Sequence, residues 1–234
     1  MEHRLAKAFE GSAAGVYDRG RAPYPPEVVE VMELPSGARV LDLAAGTGLL
    51  SAALSRAGFD VVAVEPSAAM RERLPLALEG SAESIPLEDE AVGAVVVGDA
   101  WHWFDPDRAA AEVHRVLAPG GPLVLVWRPP LRQYEGALAE RLRELRAGHP
   151  GFAGERGREG VDRHGGFSEW THVKVPFTHS TDRDGQLALL ASASFVATLP
   201  EDERVELLAQ AAEQIPDGPI ELGYEAEVWR AIRR

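Results

Sequence analysis

The chain has 234 residues, 45% apolar and 26% charged, which is enough for one substantial core in an ordinary globular protein. A formal net charge of −13 argues against nucleic acid or another polyanion as partner, because such partners need a basic face that displaces counterions. Cysteine is absent, which excludes disulfides, thiolate nucleophiles and cysteine-held metals. No apolar run approaches the ~20 residues of a membrane span, so no membrane partner is expected. The opening "MEHRLAKAFEG" lacks a signal-peptide core, and a cytoplasmic location is the corresponding expectation.

In chain order, "VYDRGRAPYPPEVVEVM" reads as a proline-broken approach to a short helix. "ARVLDLA" (38–44) is a buried parallel strand interrupted by one acid, "AGTG" a turn, and "LLSAALSRAG" a helix that stops at Gly58. "DVVAVE" (60–65) is the next strand, followed by a helix with Ser67 as N-cap and Pro75 as its stop. A short strand is expected near 76–79, then the loop "GSAESIP" and a strand over 92–98. Asp105-Pro106 opens a helix whose apolar stripe includes Val113 and Val116, and "PLVLVW" (122–127) is the fifth strand.

Beyond Trp127 the alternation of strand and helix stops. Leu138, Leu142 and Leu145 mark one face of a helix, and 147–166, rich in Gly and charge, reads as a mobile loop. "WTHVKVPFTHS" alternates like a strand. Thr198 and Glu201 fit a capping box before a helix with the stripe Val205, Leu208, Ala212, Ile215. "ELGYEAEVWRAI" reads as a last, antiparallel strand.

Short loops between alternating strands and helices imply a doubly wound, Rossmann-like α/β fold with helices on both faces of a parallel sheet. Ligands bind such sheets at the carboxyl ends of the strands. There Gly46 and Gly48 allow close backbone approach, and Glu65, nineteen residues after Gly46, can accept both hydroxyls of a ribose. A dinucleotide fingerprint asks for a third glycine where Ser51 stands, and Asp42 suits a cationic group better than a phosphate. A ligand with a ribose, an ammonium and a carboxylate fits: S-adenosylmethionine.

The order and spacing of "VLDLAAGTG", "VVAVEPSAAM", "GSAESIP", "WHWFDPD" and "EVHRVLAPGGPLVLVW" resemble class I S-adenosylmethionine-dependent methyltransferases. "YDRGRAPYP", "AWHWFD" and "SFVATLPEDER" are similar to the small-molecule branch that includes trans-aconitate-type enzymes. The resemblance implies a seven-stranded sheet with only the last strand antiparallel. It also implies one domain over 1–234: a cap segment (1–37), a cofactor core (38–127) and acceptor-side helices, loop and final strands (128–234).

Carried over residue by residue, the resemblance passes the backbone of Ala44, Gly46 and Gly48 under the methionine moiety. Asp42 orients that loop and the ammonium, Glu65 holds the ribose with Pro66 beside it, and Met70 packs on the adenine. Ala82 and Glu83 read the adenine edge, Asp99 lies near the ammonium, and Tyr17 and Arg21 close over the carboxylate. Ala44 departs from the commoner Gly, and Asp99 from a common Gln.

"AWHWF" then lines the acceptor pocket, where aromatic faces stabilise a sulfonium and exclude water. His102 is the candidate catalytic residue, as base or acceptor-positioning group, against a purely structural histidine. One of Trp101 and Trp103 faces the pocket and the other the core. Arg128 either meets an anionic acceptor or is a solvated surface arginine. No histidine pair has metal-ligand spacing beside a carboxylate, and no metal is expected. The expected activity is methyl transfer to a small molecule, with a carboxylate among the acceptors. The alternatives are an NAD(P)-dependent oxidoreductase and a non-catalytic S-adenosylmethionine-binding protein.

Overall fold

The computed structural model describes residues 19–131, 134–148 and 158–234. Four apolar runs form parallel strands: β1 (Arg39–Leu43), β2 (Asp60–Val64), β3 (Ala94–Gly98) and β4 (Pro122–Trp127). Two longer strands, β5 (Thr171–Thr181) and β6 (Ile220–Ile232), complete a sheet of order β2-β1-β3-β4-β6-β5. β6 is antiparallel to both neighbours, Trp127 facing Glu227 on one side and Phe177 facing Tyr224 on the other. Only the last strand therefore runs against the rest, as expected.

Strand periodicity sorts the core into two layers. Leu41, Leu43, Val95, Val97, Leu123 and Leu125 face one side, beneath Ala109, Val113 and Val116 of α4 (Pro106–Val116). Val40, Val96, Val124 and Val126 face the other, against α1 (Pro26–Glu30) and α2 (Leu49–Arg56). Both faces of the parallel part are covered, which is why β1, β3 and β4 read as near-continuous apolar runs. A third cluster joins α5 (Gly136–Gly148), α7 (Arg183–Ala191), α8 (Ser194–Ala197) and α9 (Glu201–Gln214) through Leu138, Leu190, Val196, Leu207 and Ala211.

Two expected caps form as read. Ser67 accepts from the Met70 N–H at the start of α3 (Ala68–Arg71), and Asp105 accepts from Asp107 and Arg108 N–H at the start of α4.

Four expectations need correction. Six strands, not seven, form among the described residues: the segment at 76–79 contributes a single bridge, Leu78 to Val64. It lies at the sheet's edge beside β2 and exposes Leu76 and Leu78, so little burial favours extending the pairing. The capping box is absent because Pro200 is the N-cap residue of α9, while the Thr198 hydroxyl donates back to the Ser194 carbonyl. The buried residues within α9 are Leu207 and Ala211 rather than Leu208 and Ala212, and Val205 is exposed, so the inward face is rotated by one residue; Ile215, at the C-cap, is buried as expected. Part of the presumed loop is helix α6 (Glu159–His164), which buries Val161 beside α4 in the first core layer. Residues 149–157 of that loop lie outside the described residues.

Candidate active site at the carboxyl edge of the sheet

The loop after β1 turns through three left-handed positions, Ala44 (φ 59°), Gly46 (φ 59°) and Gly48 (φ 89°). Glycine adopts such angles freely. Ala44 bears a strain of roughly 1–2 kcal/mol there, which is the physical reason a glycine is commoner at that place. Above Gly46 a side chain would meet nothing within 4 Å, so the loop presents bare backbone to open space. The Thr47 hydroxyl on the same loop is buried with no hydrogen-bond partner among the described residues.

Glu65, just past β2, faces this loop. Its carboxylate accepts the Gly46 N–H (2.9 Å) with one oxygen and the Ser67 N–H (2.8 Å) with the other. Each oxygen retains a lone pair for a further donor. Burial pushes the Glu65 pKa up, opposed by these two N–H bonds and by Arg71. Arg71 also fastens the turn by donating to the Glu65 and Pro66 carbonyls.

Asp42 is 1% exposed and accepts a 2.6 Å hydrogen bond from the Ser51 hydroxyl. Burial raises its pKa to about 7, with Ser51 opposing the rise. Ser51 thus stands where a dinucleotide fingerprint needs glycine, and its side chain is committed to Asp42. Met70, in α3, and Ala82, in the first core layer, are both buried, and Glu83 accepts the Asp105 N–H at 2.8 Å, tying the loop after residue 80 to the start of α4.

At the end of β3, Asp99 has φ 53° and its carboxylate holds Arg128 from the end of β4. It accepts the Arg128 backbone N–H (2.9 Å), Nε (3.1 Å) and Nη2 (2.8 Å). Burial would raise the Asp99 pKa, but the guanidiniums of Arg128 and Arg21 hold it below the usual carboxylate range. Tyr24 lies under the Arg128 guanidinium at 3.4 Å and donates to Asp99 at 3.4 Å, its hydroxyl fitting only because residue 98 is glycine: a Cβ there would overlap it. Arg128 also donates to the Ala22 carbonyl. With its side chain 4% exposed, Arg128 is not the solvated surface arginine that one reading of the sequence allowed. Periodicity carries no signal for this, because the partner acid lies on another strand.

The aromatic stretch forms a 3₁₀ turn over Trp101–Trp103 just after β3. Trp101 is 1% exposed and meets Phe104 edge-on at 5.4 Å, so it is the tryptophan in the core. Trp103 is partly buried, 5.1 Å from the His102 ring. Arg21 donates to the Ser192 hydroxyl (3.3 Å) and so docks the N-terminal segment on the end of α7. Tyr17 lies outside the described residues.

Sequence reading missed two residues on the β5–β6 side. His179 lines a cavity of ≈ 520 Å³ with Arg19, Asp182 and Pro219 at the same edge of the sheet. Tyr224 is buried further along the same strand pair, opposite Phe177. Neither falls in a recognisable motif. Among the described residues no three His, Asp or Glu side chains cluster as metal ligands, and no helix is long and apolar enough to cross a membrane.

A doubly wound sheet with a bare-backbone loop after β1 and a carboxylate after β2 is the arrangement with which α/β proteins bind nucleoside cofactors. Comparison gives the class more closely. Residues 41–125 match the family model described as a methyltransferase domain. The chain is 40% identical over 215 residues to an uncharacterized methyltransferase of Mycobacterium tuberculosis, covering 89% of this chain and 86% of that one. Its fold is similar to a structure assigned as a type II methyltransferase from Anaeromyxobacter dehalogenans (TM-score 0.67, 24% identity, 91% of this chain and 97% of that one). It is also similar to Haemonchus contortus phosphoethanolamine N-methyltransferase 2 in complex with phosphomonomethylethanolamine and S-adenosylhomocysteine (TM-score 0.51, 16% identity, 88% and 51%). The chain belongs to the S-adenosylmethionine-dependent methyltransferases.

Proposed function

We propose that the protein transfers the methyl group of S-adenosylmethionine to a small-molecule acceptor that carries a carboxylate, as a single-domain cytoplasmic enzyme of the branch resembling trans-aconitate-type methyltransferases. The observation that carries the cofactor reading is the Glu65 carboxylate held 2.9 Å from the Gly46 N–H, with lone pairs left for a ribose diol. The orphan Thr47 hydroxyl and the bare Gly46 backbone support the same fit. When bound, the cofactor supplies an electrophilic methyl on a sulfonium.

The chain's own residues then bind, orient and exclude water. Glu65 takes the ribose, with Pro66 shaping the turn; Met70, Ala82 and Glu83 serve the adenine. Asp42 and Asp99 favour the ammonium, Tyr17 and Arg21 the methionine carboxylate, and the 44–48 backbone supports the chain between them. His102 and Trp103 wall the acceptor side, and Trp101 anchors their turn in the core. In-line methyl transfer draws mainly on alignment and dryness, which rigid rings supply. His102 serves in this reading as acceptor base or positioning group.

Support for an anionic acceptor comes from the charge at the edge, where two guanidiniums, Arg21 and Arg128, share one carboxylate, Asp99. A nicotinamide reading is disfavoured by Ser51, whose bond to Asp42 occupies the place of the third glycine. The test is a metabolite library incubated with S-adenosylmethionine and followed by S-adenosylhomocysteine release. Turnover confined to amines or phenols would overturn the carboxylate assignment.

A further inference from the structure

Tyr224 is 2% exposed, yet its hydroxyl has no hydrogen-bond partner among the described residues. Its ring is fixed by stacking on Phe177 (5.0 Å, 12°) and by packing on Ala22 and Leu189. Buried phenols ordinarily find an acceptor, because leaving the donor unpaired is costly. A hydroxyl held rigid and unpaired beside an active site is a site for a ligand atom.

Strand register identifies what that hydroxyl faces. Trp127 lies opposite Glu227, and the pairing continues to Pro130 opposite Tyr224, which puts Arg128 opposite Ala226. Opposed residues share a face and alternate residues return to it, so Arg128, Ala226 and Tyr224 lie on one face of the sheet. The two side chains meet a common neighbour: Ala22 packs on Tyr224, and its carbonyl accepts from Arg128. Burial raises the Tyr224 pKa while Arg128 and Arg21 oppose the rise, so the phenol keeps its proton at neutral pH and acts as a donor. The cavity at His179 begins two residue pairs nearer the edge, on the same face, since His179 lies opposite Leu222 and Phe177 opposite Tyr224. β1 and β2, which carry the cofactor loop and Glu65, lie on the far side of β3 and β4.

We propose that Tyr224 is an acceptor-binding residue, its hydroxyl donating to a carboxylate oxygen of a small anionic acceptor that reaches it from the His179 cavity and is held in the field of Arg21 and Arg128. The inference rests on the methyltransferase reading above and adds to it the residue that recognises the acceptor. Selectivity follows from the donor: a neutral or cationic acceptor gains nothing from two guanidiniums, whereas a carboxylate gains a charge-assisted hydrogen bond.

The test compares wild type with Tyr224→Phe, both saturated with S-adenosylhomocysteine. Each is titrated calorimetrically with acetate, succinate, citrate and benzoate, and with primary amines, neutral amides and phosphate monoesters. At least one carboxylate binds the wild type, and the variant binds it about tenfold more weakly, the worth of one hydrogen bond to a charged group. S-adenosylmethionine affinity stays within about twofold, and the variant melts no lower than wild type, because the lost hydroxyl had no protein partner. Four results each overturn the proposal: no carboxylate binds, phosphate esters bind in their place, the variant binds carboxylates equally well, or it melts lower. Weakened S-adenosylmethionine binding in the variant would overturn it too, by assigning Tyr224 to the cofactor. Failure of the wild type to bind S-adenosylhomocysteine would instead sink the methyltransferase reading, and the inference with it.

Discussion

Asp99 and Arg128 close the ends of β3 and β4 onto each other, the carboxylate taking the Arg128 backbone N–H at 2.9 Å and its Nη2 at 2.8 Å. The same guanidinium covers Tyr24 and reaches the Ala22 carbonyl, so one ion pair fixes two strands and the N-terminal segment. Because Arg128 is nearly dry, losing one partner leaves an uncompensated buried charge.

Asp99→Asn keeps the shape and tolerates the left-handed backbone, but removes the charge opposite Arg128. It should destabilise the fold by roughly 3–5 kcal/mol in urea denaturation, and Arg128→Met should cost a similar amount. Combining the two should recover part of the loss, since neither charge is then stranded. A loss under about 1 kcal/mol for Asp99→Asn would mean that the pair is solvated in solution.

How much of this was legible beforehand depended on how local the cause was. The runs "VLDLA", "VVAV", "AVVVG" and "LVLVW" became β1–β4 because burial on both faces writes itself into consecutive residues. Ser67 and Asp105 were readable as caps because their partners lie two or three residues away. The inward face of α9 was not, since Leu207 and Leu208 are adjacent and either stripe satisfies the helical period. Arg128 and Tyr224 were opaque for a different reason. The acid that buries Arg128 lies 29 residues away, and the strand register that brings Tyr224 to the same face is set by the fold as a whole.

Asp42 gives a pH dependence with a definite sign. Its pKa is raised from 3.8 to about 7 in the folded chain, so its contribution to stability is fully present below about pH 4 and is lost as pH rises to about 7. Asp42→Asn should therefore raise the melting temperature at pH 8 and change it little at pH 4. A bound ammonium favours the ionised carboxylate, so cofactor binding expels the proton. Affinity for S-adenosylmethionine should rise about tenfold between pH 5.5 and 7 in the wild type and much less in Asp42→Asn, as measured by calorimetry. A flat profile in the wild type would separate Asp42 from the ammonium.

His102→Gln preserves size and loses the titratable nitrogen. Cofactor affinity should stay within about threefold, because the grips on the cofactor lie on other loops. Turnover should fall about 10²-fold or more on an acceptor that must lose a proton. On a carboxylate acceptor, already anionic at neutral pH, the change should be small and fall mainly on KM. Rate profiles against pH for both proteins distinguish the cases; an unfolded variant, or one that no longer binds S-adenosylmethionine, would make His102 structural.

The proposed cofactor site rests on Glu65, whose carboxylate is held by Gly46 on one oxygen and Ser67 on the other. Calorimetric titration of the wild type and Glu65→Ala with S-adenosylmethionine, and of the wild type with NADH, tests it most directly. The wild type should bind S-adenosylmethionine and not NADH, and Glu65→Ala should bind S-adenosylmethionine more weakly by ~1.5–3 kcal/mol, the worth of hydrogen bonds to a charged group. Unchanged affinity in a folded Glu65→Ala protein would remove Glu65 from the site, and tight NADH binding by the wild type would contradict the cofactor assignment outright.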